Sequence, residues 1–80
     1  MKATVLVRLK SEVLDPQGDA VRQSLQKLGF DVHAARVGRV VDLDVEGDDA
    51  VGARAEIQRM CEELLANPLI ESFEIRLEES

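Results

Sequence analysis

The stretch Phe30 to Glu46, FDVHAARVGRVVDLDVE, decides the fold, because it reads as two strands joined by a turn. Phe30, Val32 and Ala34 alternate with Asp31 and His33, the period-two pattern of a strand with one face covered. The parity shifts by Val37, which predicts a bulge near Ala35 or Arg36. Gly38-Arg39 then offers a turn, and from Val40 to Glu46 the alternation resumes, with Val41, Leu43 and Val45 on the core side and Asp42, Asp44 and Glu46 facing away. The expectation is a hairpin.

Outward from that hairpin the pattern is nearly symmetrical. Upstream, Thr4 to Lys10 alternates as a strand, with Val5, Val7 and Leu9 on one face. Asp15-Pro16 starts a helix, since an Asp side chain accepts an amide of the first turn and Pro fits the first helical position. Val21, Leu25 and Leu28 give that helix an apolar stripe, and Gly29 closes it. Downstream, Gly47-Asp48-Asp49 breaks the strand and caps a second helix, whose Ala53, Ile57, Met60, Cys61, Leu64 and Leu65 form one broad stripe. Asn67-Pro68 ends it. Leu69, Phe73, Ile75 and Leu77 then alternate as a last strand.

The order strand, helix, strand, strand, helix, strand predicts an α+β two-layer sandwich of the βαββαβ, ferredoxin-like kind, an antiparallel four-stranded sheet with both helices on one face. The 80 residues fit a single domain, 1–80, with no linker, repeat or low-complexity segment. So short a chain buries only about 60–65% of its unfolded surface, which favours self-association. The uncovered sheet face carries Leu6, Val40 and Ile70 among its charges, and these are the residues expected to meet a second copy.

Composition excludes several functions. Sixteen acidic residues against 10 basic ones leave a net charge of −6, and Phe30 and Phe73 are the only aromatics, so neither phosphate contacts nor base stacking is supported and nucleic acid is not expected. No apolar run approaches a membrane span, and Met1 to Lys10 lacks a signal-peptide pattern. A lone cysteine fits the reducing cytoplasm.

Catalytic chemistry is equally thin. Cys61 falls on the apolar stripe, where burial keeps a thiol inert, and His33 has no second ligand or partner to make a metal site or a nucleophile pair. The pairs Asp48-Asp49, Glu62-Glu63 and Glu78-Glu79 diverge on helix or strand and read as solubilising charge. Gly18 and Gly38 belong to no phosphate-binding loop. No catalytic or metal-ligating residue is expected. What stands out instead is the Asp15-Pro16-Gln17-Gly18 connection and the two guanidinium groups of Arg36-Val37-Gly38-Arg39, placed where they could grip a partner's carboxylates.

With Leu28-Gly29-Phe30, Met60-Cys61, Leu64-Leu65-Ala66-Asn67-Pro68 and Ile70-Glu71, these segments in this order resemble the PurS family, the small subunit of phosphoribosylformylglycinamidine synthase. The likeness covers nearly the whole chain; the family often has Lys in place of Arg39 and Tyr in place of Phe73. The resemblance implies a non-catalytic subunit in purine biosynthesis. As a dimer or higher homo-oligomer it bridges a large PurL-type synthetase subunit, which uses ATP and Mg, and a PurQ-type glutaminase, and it helps ammonia pass between them. The chain itself would bind no cofactor. By location and resemblance, Asp15, Pro16, Gln17, Gly18, Arg36, Gly38 and Arg39 are the candidate partner contacts. Fold order alone leaves open an ACT-like regulatory domain that binds a small molecule near the first strand-to-helix turn, and, more remotely, a minimal stand-alone enzyme.

Overall fold

The computed structural model describes residues 1–47 and 49–78, so Asp48 and Glu79, each half of an acidic pair noted above, lie outside the described residues. Three strands and two helices follow in the order β1 (Lys2–Leu9), α1 (Pro16–Lys27), β2 (Gly38–Asp44), α2 (Ala50–Met60) and β3 (Glu71–Glu78). The sheet is antiparallel with β1 in the middle, in the order β2-β1-β3. Val5 faces Val41 on one side and Ile75 on the other, so the alternation of all three strands falls in phase.

That phase builds the core. Ala3, Val5 and Val7 turn to one face and are buried, together with Ile57 and Cys61 from the second helical segment. Val41, Leu43, Phe73, Ile75 and Leu77 pack around them, half-buried. The Asp49 side chain caps α2 by accepting the Val51 amide at 3.2 Å. Past Met60 the helix widens into one π-helical turn, Cys61–Leu65, closed by the Ala66 amide donating to the Cys61 carbonyl at 2.9 Å. This turn changes which leucine faces inward: Leu65 packs on the core whereas Leu64, expected on the stripe, is exposed. Leu69 also lies in solvent, ahead of β3.

The α+β class and the flanking elements match the sequence reading; the hairpin does not form. Residues 30–37 form neither helix nor strand, with a bend at His33, and make no strand pairing. Gly38, expected in a turn, is the first residue of β2 and pairs with Arg8. The physical reason is close packing. A Cβ on residue 38 would sit inside van der Waals contact of the Val7 carbonyl, so Gly38 lets β2 start tight against β1, and the chain runs into the strand without reversing.

The second departure concerns α1. None of its residues joins the core or packs against it, and Val21 and Leu28 are exposed. The helix starts at the end of the sheet where β1 finishes and leads away. An 8-residue strand spans about 27 Å and a 12-residue helix about 18 Å. Placed end to end these account for the 48 Å long dimension of the molecule. The α1 helix and the return segment 30–37 therefore form an arm projecting from a one-helix sheet.

Candidate functional site

The residues singled out in the sequence converge on that end of the sheet, in two clasps. The first holds the base of the arm. Asp15 caps α1 by accepting the Gly18 amide at 3.0 Å through Oδ1, and its Oδ2 accepts the Val37 amide at 2.8 Å. One carboxylate thus ties the first turn of the helix to the end of the return segment. These two amides, with a smaller effect from the Arg36 charge, hold the Asp15 carboxyl below the usual range, because they stabilise only its ionised form. Gly18 is buried against the Ala35 carbonyl so closely that a Cβ would collide with it. Arg36 completes the clasp, donating to the carbonyls of Lys10 at 2.8 Å and Leu9 at 3.0 Å. The arm itself is tied along its length by Gln26 Nε2, which donates to the Val32 carbonyl at 2.8 Å, and by the Phe30 amide on the Leu25 carbonyl.

The second clasp closes the opposite corner. Arg39 donates from both terminal nitrogens to the two carboxylate oxygens of Glu71, at 2.7 and 3.1 Å, and also to the Leu65 carbonyl at the end of the π-helical turn. Glu71 Oε1 accepts the Asn67 amide at 2.7 Å, so the carboxylate fastens β2, β3 and the α2 exit in one knot. The paired guanidinium and that amide depress the Glu71 carboxyl. Sequence pattern pointed to Asn67-Pro68 as a helix stop; Glu71 as the receiver of Arg39 carried no local signal, since the two are neighbours only once β1 separates their strands.

Asp15, Gly18, Arg36, Gly38 and Arg39 are therefore all committed within the chain, while Pro16 and Gln17 remain exposed on the first turn of α1 and half of the Arg39 side chain faces solvent. Leu6 and Val40 lie opposite each other on the outer sheet face, and Ile70 precedes β3, its carbonyl accepting the Lys10 amide. An open groove of about 550 Å³ lies beside the first clasp, bounded by Glu12, Leu14, Asp19, Arg22 and His33. This is where an ACT-like reading would place a ligand.

The remaining chemistry is sparse. Cys61 is fully buried, and burial raises its thiol pKa, with a smaller contribution from Glu62. Among the described residues no three His, Cys, Asp or Glu side chains gather as a metal site requires. No helix among them is long and apolar enough to cross a membrane.

A three-stranded α+β fold with one packed helix, and with a projecting helical arm held at its base by Asp15 and Arg36, defines the class of small domain to which the chain belongs. Its relatives give that class a name. The profile of the PurS family, described as phosphoribosylformylglycinamidine (FGAM) synthase, matches residues 2–79, and the chain belongs to this family. The phosphoribosylformylglycinamidine synthase subunit PurS of Methanocaldococcus jannaschii is 38% identical over 78 residues, covering 96% of this chain and 94% of that protein. Its crystal structure, described as one of the subunits of formylglycinamide ribonucleotide amidotransferase, superposes with a TM-score of 0.89 at 36% identity over 99% of this chain and 96% of that one. A chain in the structure of PurLQS from Thermotoga maritima is similar with a TM-score of 0.87 at 34% identity, covering 94% of this chain and 93% of its own length.

Proposed function

We propose that this chain is the small, non-catalytic subunit of a phosphoribosylformylglycinamidine synthase, bridging a PurL-type synthetase and a PurQ-type glutaminase and supporting ammonia transfer between them. The observation that carries the reading is the family match along 2–79, joined to the likeness to a chain of a PurLQS assembly. The chemistry explains why such a subunit is useful. Ammonia released into neutral water is protonated and ceases to be a nucleophile, so a sealed interface between the two enzymes preserves it. ATP and Mg belong to the large subunit in this reading, and the small chain works in the cytoplasm as a homodimer or higher homo-oligomer.

The clasped end of the sheet is the surface offered to the larger subunits. Pro16 and Gln17 lie outermost, on a helix turn fixed by Asp15 and Gly18, and the exposed half of Arg39 stands across from them. Arg36 and Gly38 serve the same surface by holding its two sides in register. Leu6 and Val40, paired across β1 and β2, and the exposed Ile70 before β3 are the aliphatic residues offered for self-association.

Reconstitution tests this. With synthetase and glutaminase present, adding the chain is expected to switch on glutamine-dependent product formation, while synthesis fed by concentrated ammonium salt changes little. Glutamine-dependent synthesis that is undiminished without the chain would overturn the proposal.

A further inference from the structure

Most arginines of this chain are satisfied within it. Arg22 pairs with Asp19, Arg39 with Glu71, Arg59 with Glu63 and Arg76 with Glu74, while Arg36 and Arg54 donate to backbone carbonyls. Arg8 is exposed and has no hydrogen-bond or ion-pair partner among the described residues. The register explains why. On the outer face of the sheet Arg8 stands between Gly38 of β2 and Ser72 of β3, neither of which carries a charge. Glu74, one pair along beside Leu6, turns to Arg76 instead. At the far end of the same face the opposite holds, and Lys2 lies between Asp44 and Glu78.

Gly38 keeps the space beside Arg8 open. A Cβ at position 38 would come within 3.1 Å of the Arg8 Cβ, and without one a notch of about 280 Å³ remains, walled by Arg8, Arg36, Arg39 and Val40. A second hollow of about 320 Å³ shares Arg8, Gly38 and Arg39 and reaches Gln17, so Arg8 is continuous with the first turn of α1. Two carboxylates, Asp15 and Glu71, line these hollows against the three arginines. Glu71 is held by Arg39, and Asp15 by the Gly18 and Val37 amides. The positive charge left over is that of Arg8.

We propose that Arg8 is the charged contact for an acidic surface of a larger subunit: an Asp or Glu side chain enters the notch and accepts from both terminal nitrogens of Arg8, in the two-pronged geometry Arg39 already makes with Glu71. Arg36 and Arg39 strengthen the local field without giving up their own partners. Charge complementarity selects the occupant, since a basic surface would face three guanidinium groups. It also sets the orientation. An acidic surface turned end for end would meet Asp42, Asp44 and Glu78 on the same sheet face.

The inference rests on the subunit reading, and a pair of charge-matched variants separates the two. Arg8→Gln and Arg76→Gln each remove one positive charge from the outer face, at opposite ends. Binding to immobilised synthetase and to immobilised glutaminase is measured across a salt series. Arg8→Gln should weaken capture by a larger subunit about tenfold, as the loss of one charge-assisted hydrogen bond implies, and flatten its salt dependence. Arg76→Gln should change it by less than about twofold, as an exposed ion pair does. Ser72→Glu, which sets a carboxylate opposite Arg8 in its own chain, should weaken capture as well, and it carries the test should Arg8→Gln shift the melting temperature. Wild-type binding that Arg8→Gln and Ser72→Glu leave intact, or that Arg76→Gln weakens as much, overturns the inference and leaves the subunit reading standing. A wild-type chain that binds neither larger subunit removes both.

Discussion

The two helices of this chain have similar lengths and each carries an apolar stripe, yet they behave as opposites. The second lies on the sheet with Ile57 wholly excluded from water, and the first stands clear of it with Leu28 mostly in water. The difference lies in what precedes and follows each helix. The π-helical turn and the Asn67 turn bring the chain straight from α2 into β3, pinning that helix across the sheet. Around α1, Asp15, Gly18 and Arg36 lock the helix start to residues 35–37 and aim it outward. An apolar stripe shows that a helix has something to bury; the connections decide where.

The largest expected effect is on the packed helix. Ile57→Ala should cost about 2–5 kcal/mol in urea unfolding, the range for emptying a buried aliphatic site. A cost under ~1 kcal/mol would mean that α2 is as loosely held as α1. By contrast, Leu28→Ala in chains diluted to monomer should stay within about 0.5 kcal/mol, as exposed positions do. Gly18→Ala should fall between them, freeing the arm before the sheet, seen as faster amide exchange at residues 16–37 with strand amides unchanged. Equal acceleration in both regions would blur the contrast drawn here.

Acid should sharpen it. Asp15 and Glu71 both have carboxyls held below their ordinary values, so the stability they contribute is complete above the usual carboxylate range and disappears as pH falls through the depressed folded values. Asp15→Asn should remove the acid sensitivity of arm exchange protection, and Glu71→Gln that of the β2–β3 corner. The smallest effect concerns Cys61, which should react with thiol reagents only at the rate at which the core opens; rapid modification of the native chain would contradict its burial.

Much of this architecture was legible in the residues. Asp15-Pro16, Gly29 and Asn67-Pro68 mark helix ends by local chemistry, and Gly29 does take the left-handed conformation, φ 95°. The strand faces followed from alternation. The expected hairpin does not form because alternation in Phe30 to Ala34 reports a preference for pairing, whereas Gly38 starts β2 directly against β1 and leaves the chain no turn in which to reverse. Leu64 was misplaced because a π-helical turn has no signature in the spacing. At the clasps, the residue types were visible and their commitments were not: Asp15 is an ordinary cap until Val37 arrives, and the Arg39–Glu71 pair spans 32 positions.

The central claim is that α1 leads away from its own sheet, and an intrachain distance tests it most directly. Spin labels on Lys2→Cys and Lys27→Cys, in a Cys61→Ala background diluted with unlabelled chain, should report a separation approaching the 48 Å long dimension. In a helix folded back over its own sheet, Lys27 would return beside Lys2, since helix and strand then run antiparallel about 10 Å apart. A distribution centred at that short separation would contradict the account.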